Sequence, residues 1–371
     1  MPGSVLLICL GVLLLYTLVL LVFGIGFLRG GRSARPAGGE QPSFSILICA
    51  RNEEKTMAAC LYSILQQDYP PSKVQIIVVN DASEDRSATL AETVLKASGV
   101  SHLIISNPEQ KGKKASLSYA MSFAKHPWIV SRDADTISPS RQWLTSIAEG
   151  IQQSDADMLI GPIALSGNSG MLWALQAIEN SILQVLAGGS AYFKRPFLCS
   201  GANLVFKASM YTKVNGYQSH AHLASGDDVL FMEDVKKANG NIHYLHSKPA
   251  IVETLACRSL SELLNQKIRW SGKFKHNPNL LNSAIAVLVT LANVAWLYCF
   301  VDGYVHPVDN SWTLVYVVGK LCVDFLMLLV ASTFIRQPYL FWYSLPVGCI
   351  YPVYACVIAV GSLILKPSWK K

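Results

Sequence analysis

Apolar and polar positions divide the chain into three stretches of different character. Residues 4 to 28, SVLLICLGVLLLYTLVLLVFGIGFL, carry no charge, and a helix of that length, rising 1.5 Å per residue, crosses a hydrocarbon core of roughly 30 Å. A cleaved signal peptide would hold an apolar region of about 7 to 15 residues behind a basic start. Here the run is longer and follows Met-Pro-Gly, which predicts an uncleaved transmembrane anchor over 1–29. Three further apolar runs, about 280 to 302, 313 to 335 and 339 to 365, crowd the other end, with Trp312, Tyr339 and Trp342 near their edges as interface anchors. Residues 280–371 are therefore expected to form a membrane region of about three helices.

Between these apolar ends the pattern changes period. A loose linker over 30–42, within GGRSARPAGGEQPS, leads into short β-rich runs: FSILICA (44 to 50), VQIIVVN (74 to 80), HLIIS (102 to 106) and WIVSRDAD (128 to 135). Apolar residues at helical spacing lie between them in EEKTMAACLYSILQQ, EDRSATLAETVLKA and KKASLSYAMSFAKH. This alternation predicts an α/β domain with a parallel sheet. Its expected bounds are 43–257, followed by an amphipathic interface helix over 258–279.

Composition strengthens the membrane reading. The chain is 51% hydrophobic and 15% charged, too apolar for an ordinary soluble domain. Arg29, Arg32 and Arg35 follow the first run, Lys267, Arg269, Lys273 and Lys275 precede the second, and Arg336 lies between the last two. The positive-inside rule assigns these segments, and the domain between them, to the cytoplasmic side of an integral membrane protein. Lys366, Lys370 and Lys371 oppose that rule if all four runs cross, so the last run, with Pro346 and Pro352, is either a crossing or a re-entrant segment. Lys320 and Asp324 are spaced to pair inside the third run, for a structural or a functional end. Nine cysteines without CxxC pairs or a compact His/Cys cluster argue against a zinc site or a disulfide framework. The net charge of +7 comes from membrane-flanking residues, and no basic cluster with stacking aromatics points to nucleic acid.

In a parallel sheet, ligands gather beyond the carboxyl ends of the strands. Four polar stretches follow the four strands: ARNEE, NDASED, NPEQKGKK and RDAD. No GxGxxG follows the first strand, and no GxxxxGK[ST] occurs anywhere. Carboxylates stand where the glycines would be: Asp81, Asp133, Asp135, Asp227 and Asp228. Two aspartates at i and i+2 across a strand end offer hard oxygen ligands to Mg²⁺ or Mn²⁺, which in turn bridges phosphate oxygens. A solvated turn is the alternative use of the same pattern.

Taken in order, ARNEE, VVNDASED, KGKKASLSYA, RDAD, SGANLVFKASMYTKVNGY, SGDD and QKIRW resemble the family 2 glycosyltransferases over about residues 43 to 275. Within that family the resemblance is to the membrane-embedded processive branch of cellulose, chitin, hyaluronan and poly-N-acetylglucosamine synthases. It implies a GT-A type fold: a mixed, mostly parallel sheet with helices on both faces. It also implies transfer of a sugar from a nucleotide sugar, a UDP-sugar first, to a saccharide or lipid acceptor with inversion, at the bacterial inner membrane.

By the same resemblance, Asn52, Glu53, Glu54 and Asp81 edge the nucleotide site, with Lys113 or Lys114 and Asp133 beside the nucleotide. Asp133 and Asp135 are the metal-binding pair, and Asp228 is the catalytic base, with Asp227 its alternative. Capping a helix is the structural alternative for either acid. Gln266, Arg269 and Trp270 match QxxRW, where an arginine meets diphosphate and an indole stacks under the acceptor sugar. The synthases carry Thr-Glu-Asp where this chain has Ser225-Gly226-Asp227-Asp228, so the acid is kept in altered surroundings. Membrane lipid and an oligomeric or export partner belong to the same expectation. A non-catalytic membrane scaffold and a transporter are readings from other classes.

Overall fold

The computed structural model describes residues 3–31, 40–167, 169–223, 226–272, 279–306 and 311–364. They gather into two compact units. One is made of Arg29–Ser166 with Ser190–Leu255, the other of Met1–Leu28, Gly167–Gly189 and Ala256–Lys371.

The long apolar helix α1 (Gly3–Gly30) comes first. Strand and helix then alternate through β1 (Phe44–Ala50), α2 (Met57–Leu65), β2 (Val74–Asn80), α3 (Ser87–Lys96), β3 (Ser101–Ser106), α4 (Lys113–Met121) and β4 (Trp128–Asp133). After β5 (Thr136–Ile137) come α5 (Trp143–Gln153), β6 (Met158–Ile160), β7 (Ile163–Ser166) and the 22-residue α6 (Met171–Tyr192). The α/β unit finishes with β8 (Leu204–Lys207), α7 (Ala208–Lys213), α8 (Val229–Lys237), β9 (Ile242–Tyr244) and β10 (Val252–Leu255). The chain ends in α9 (Leu260–Gly272), α10 (Leu280–Val305), α11 (Ser311–Ile335) and α12 (Phe341–Ile364).

Among the described residues of the α/β unit, seven strands form one sheet in the order β3-β2-β1-β4-β8-β6-β9. β1 pairs in parallel with both β2 and β4, and β2 with β3. β8 is antiparallel to its two neighbours, β4 and β6, so the sheet is mixed, as expected of the GT-A type. A second, three-stranded sheet has the order β5-β10-β7. The continuous apolar run VQIIVVN is buried at every position, as a central parallel strand covered on both faces must be. Helix α2 buries Met57, Cys60, Leu61 and Ile64, the spacing of one helical face. These residues join Phe44, Ile46, Ile48, Val130 and Trp143 in one core.

This topology fixes where a ligand gathers. The chain moves outward from β1 through β2 to β3, then returns to the opposite side of β1 for β4. That reversal opens a crevice at the carboxyl ends of β1 and β4, where Cys49 lies in register with Asp133. The sequence pattern extends the last strand to residue 135, but β4 ends at Asp133 because the chain turns there into β5. The turn aims the Asp133-Ala134-Asp135 segment at the rim.

Among the described residues, four helices are long and apolar enough to cross a membrane: Ser4–Gly30, Leu280–Val305, Trp312–Ile335 and Pro338–Ile364. α12 runs unbroken past Pro346 and Pro352. In the helical unit Lys320 is fully buried, and its Nζ lies 2.7 Å from Asp324 Oδ2. The Tyr16 hydroxyl of α1 donates to Asp324 Oδ1 at 2.6 Å, so the i, i+4 pair expected from sequence also ties α1 to α11. Arg32, Arg35, Lys273, Lys275, Lys366, Lys370, Lys371 and Ser225, all used in the sequence reading, lie outside the described residues.

Candidate active site at the carboxyl ends of the parallel strands

The loop after β1 is stitched to the loop after β2. Asn52 has φ 55; its backbone N–H donates to Ser83 Oγ at 3.0 Å, and its Oδ1 accepts from the Glu84 N–H at 2.9 Å. The Glu53 N–H donates to Ser87 Oγ, while Glu53 Oε2 accepts from the Thr56 hydroxyl. Glu54 sits further out, 3.5 Å from the exposed Arg86 guanidinium. These bonds shape the rim from backbone and side chain together.

Asp81 ends β2 inside a nest of donors. Its Oδ1 accepts from Asn107 Nδ2 at 2.9 Å and from the Lys111 N–H at 2.8 Å, and its Oδ2 accepts from the Gly112 N–H at 2.9 Å. Burial acts to raise its pKa, but these donors outweigh it and hold the carboxyl below its ordinary range. Gly112, at φ 85, takes the left-handed turn that aims its N–H at Asp81 and opens α4.

The next two residues separate the roles that sequence left open between adjacent lysines. Lys114 lies on the buried face of α4 and donates to the His220 carbonyl at 2.8 Å, bracing the chain ahead of Asp227. Lys113 turns into the crevice. Its Nζ lies 2.6 Å from Asp133 Oδ1 and 2.8 Å from Asp227 Oδ2. Burial works against its charge, yet the two carboxylates prevail and raise its pKa well above the ordinary lysine value. One ammonium therefore joins the tip of β4 to the loop before α8.

Asp228 follows at the N-terminus of α8, where its Oδ1 accepts from the Val229 N–H at 2.7 Å and its Oδ2 from the Gly201 N–H at 3.4 Å. It therefore caps the helix, as the structural alternative anticipated, with its carboxylate beside the crevice. A Cβ on Gly201 would stand 3.0 Å from both Asp227 Oδ2 and Lys113 Nζ, so a side chain there would crowd the ends of both charged groups. Asp135 is half-buried near Asp133 and Glu53. Burial first, then those two carboxylates, push its pKa up to about 7. Among the described residues no group of three His, Cys, Asp or Glu side chains is arranged to hold a metal ion. The protein thus offers an aspartate pair, and a bound diphosphate would complete the shell, as Mg²⁺ sites commonly require.

Gln266, Arg269 and Trp270 lie on α9 in the helical unit. Lys267 Nζ rests 4.8 Å from the centroid of the Trp270 ring and 2.5 Å from Glu179 Oε2 on α6, while the indole stays 42% exposed. Sequence reasoning passed over Arg132, Cys49, Asn107 and Gly201, and also Glu179. For Arg132 a signal existed: strand alternation from Trp128 and Val130 points it into the core.

The sequence model of the family described as Glycosyl transferase family 2 matches residues 45–212. Over that stretch the chain is similar to the family 2 glycosyl transferases. The matched residues hold Asn52, Glu53, Glu54, Asp81, Lys113, Lys114, Asp133 and Asp135, while Asp227, Asp228 and the QxxRW residues fall beyond them. The glycosyltransferase AglE of Haloferax volcanii is 24% identical over 62% of this chain and 71% of its own length. An N-acetylglucosaminyltransferase of Mesorhizobium japonicum is 25% identical over 64% of this chain and 57% of its own. The poly-beta-1,6-N-acetyl-D-glucosamine synthase of Staphylococcus aureus is 24% identical over 62% and 54%. This chain thus spans little more than half the length of the last two. In fold it is similar to the mannosyltransferase PcManGT from Pyrobaculum calidifontis, solved with GDP-Man and Mn²⁺, with a TM-score of 0.58 at 17% identity over 97% of this chain and 99% of that one. The likeness covers sheet and apolar helices alike and makes the domain a GT-A type glycosyltransferase fold.

Proposed function

We propose that the chain is a membrane-bound, inverting glycosyltransferase that moves a sugar from a nucleoside diphosphate, UDP first among them, to a saccharide or lipid acceptor at the cytoplasmic face. The observation that carries this reading is the Lys113 ammonium held between Asp133 and Asp227 at the strand crossover. An anionic leaving group in that crevice meets a cation already in place. Asp133 and Asp135 would hold a Mg²⁺ or Mn²⁺ ion, whose charge would offset the burial and the neighbouring carboxylates that push Asp135 up to about 7. When bound, such an ion neutralises charge on the departing diphosphate.

The chain's own residues do the rest. Asp81, fixed by Asn107 and the Lys111 and Gly112 N–H groups, takes only one of these bonds at Oδ2 and would meet an N–H of the base there. Lys113 can shift from the carboxylates to the diphosphate oxygens as negative charge develops there. Asp228 accepts the proton of the acceptor hydroxyl. The acceptor oxygen attacks the anomeric carbon from the face opposite the diphosphate, so the new glycosidic bond forms as the old C–O bond to the diphosphate breaks, with inversion. Trp270 offers the apolar face of its ring to an acceptor sugar, and Gln266 and Arg269 stand with it on α9. Four apolar helices favour an acceptor or product that meets the membrane, through a single lipid-linked transfer or repeated addition to a polymer.

The test offers the full chain in lipid a panel of radiolabelled UDP- and GDP-sugars with Mn²⁺ and analyses products and free nucleotide. Sugar transfer or donor hydrolysis that requires Mn²⁺ supports the reading. Absence of both, with no Mn²⁺-dependent nucleotide binding, would overturn it in favour of a non-catalytic scaffold.

A further inference from the structure

Arg132 precedes the Asp133-Ala134-Asp135 turn and is fully buried. Its guanidinium spreads over three hydroxyls: Nε donates to Thr136 Oγ1 at 3.0 Å, one terminal nitrogen to Ser138 Oγ at 2.6 Å, and the other to Ser63 Oγ at 3.1 Å. Its plane lies 4.6 Å from the centroid of Trp143. Among the described residues no carboxylate stands within ion-pair distance of it. A buried charge held by neutral acceptors alone is costly, so the side chain must return something to the fold.

What it returns is visible in the direction of the bonds. Arginine only donates, so the Thr136 hydroxyl must accept from it and keeps its single proton for another partner. That proton goes to the Asp133 carbonyl at 2.7 Å. Ser63 repeats the device, accepting from Arg132 and from the Ser138 N–H while donating to the Cys60 carbonyl. Both ends of the 133–138 segment are therefore clamped from beneath. On the far side of Trp143, its indole N–H reaches Asn203 Oδ1 at 3.2 Å, and Asn203 Nδ2 holds the Pro162 and Ala250 carbonyls. Asn203 stands two residues from Gly201, whose N–H meets Asp228.

We propose that Arg132 is a positioning residue for the cation site, fixing the turn that presents Asp133 and Asp135 through the Thr136 hydroxyl and linking it, through Trp143 and Asn203, to the Gly201–Asn203 turn whose Gly201 N–H meets Asp228. This inference rests on the reading of that aspartate pair as cation ligands. Arginine is required over lysine because only its planar fork reaches three separate acceptors at once.

The test titrates the full chain in lipid nanodiscs with Mn²⁺, in the presence of UDP and separately of GDP, following free Mn²⁺ by electron paramagnetic resonance. Supports of metal ligands change affinity by about 10- to 100-fold when removed, so Arg132→Lys is expected to weaken Mn²⁺ binding at least ~10-fold. Thr136→Val keeps Arg132 and the volume but deletes the relay, and is expected to weaken it several-fold. Ile147→Val, in the same core, is the control for packing loss and is expected to leave Mn²⁺ affinity unchanged. If Arg132→Lys fails to fold, Thr136→Val decides. Wild-type affinity in Thr136→Val, or an equal loss in Ile147→Val, would overturn the proposal. Asp135→Ala separates the two levels: if it binds Mn²⁺ as wild type does, the metal reading itself falls, whereas a loss there beside normal binding in the Arg132 and Thr136 variants removes only the positioning role.

Discussion

Replacing Lys113 by Met tests the site at its electrostatic centre. The change keeps most of the aliphatic stem and deletes the ammonium that lies 2.6 Å from Asp133 and 2.8 Å from Asp227. Stranding a fully buried carboxylate in this way costs about 3–5 kcal/mol. Here the Lys113 and Asp133 side chains keep 32% and 35% of their surface in water, and solvent screening reduces the loss to about 1–3 kcal/mol. For a domain of about 150–250 residues, 2 kcal/mol lowers Tm by about 4–8 °C. The metal response should invert this order. On the proposed reading Mn²⁺ would compete with Lys113 for Asp133, and Lys113→Met removes that competitor, so added Mn²⁺ should raise Tm more in Lys113→Met than in the native chain. Turnover should fall by about 100- to 1000-fold, the usual effect of losing one charge-stabilising donor. Differential scanning fluorimetry with and without Mn²⁺, alongside release of nucleotide from the active donor, reads all three quantities. A variant within 1 °C of wild type, equally responsive to Mn²⁺ and equally active, would refute the assignment of Lys113 as the shared cation.

Asp228→Asn should lose turnover by at least ~100-fold while keeping Mn²⁺-dependent nucleotide binding, measured by product formation and calorimetry; unchanged turnover would move the base elsewhere. Asp135→Ala should abolish the Mn²⁺ dependence of nucleotide binding, read in the same titration. Asp157 accepts from the Asn241 N–H and pairs with Lys207, and these partners outweigh burial to hold its carboxyl below the ordinary 3.8. A lowered folded-state pKa contributes stability above the unfolded value and loses it as pH falls through the folded one. Asp157→Asn should therefore unfold at lower temperature than wild type at pH 7, with the gap closing below pH 3.8. Lys320→Leu strands Asp324 and should destabilise the helical unit by about 3–5 kcal/mol, more than the double change with Asp324→Leu, in thermal unfolding in detergent; sugar transfer that survives the double change would dismiss a transport role for the pair.

What sequence alone made legible follows from burial. β1 and β2 were readable to the residue because a strand covered on both faces is a mostly apolar run, interrupted here only by Ser45, Gln75 and the terminal Asn80. Helix α6 escaped notice because MLWALQAIENSILQVLAGGSAY is apolar around most of its circumference, without the one-sided stripe that marks a helix. Its polar residues also look like breakers until their partners are seen: Gln176 meets the backbone of Cys257, and Glu179 meets Lys267. β8 is four residues long, and its antiparallel pairing leaves no mark in a local pattern. At the site, acidic spacing located Asp133 and Asp135, but the choice between Lys113 and Lys114 depended on which neighbour α4 turns inward. No local pattern showed that Lys113 touches Asp227, because that contact joins residues 114 positions apart.

On the proposed reading, the balance of charge around the crevice explains why a cation would enter with the nucleotide. Asp135 feels Asp133 and Glu53 as repulsive neighbours, and the half-buried Cys49 thiol near the end of β1 is pushed up by desolvation and by Asp227, Asp133 and Asp81, against the pull of Lys113. One ammonium thus serves several carboxyls. Asp81 is compensated by backbone donors, but no comparable set of N–H groups faces Asp135 among the described residues. Bringing a diphosphate to this rim adds negative charge where negative charge already predominates, and would be repelled unless further positive charge entered with it. A monovalent ion screened by solvent offers little there, whereas a divalent ion gripped by an aspartate pair converts the same carboxyls from an obstacle into the anchor. Neutralising either aspartate should therefore weaken metal-assisted nucleotide binding even though it removes a charge of the same sign as the ligand. A simple repulsion account forecasts the opposite sign for Asp133→Asn and Asp135→Asn, and tighter nucleotide binding in either variant would show that the carboxyls only repel.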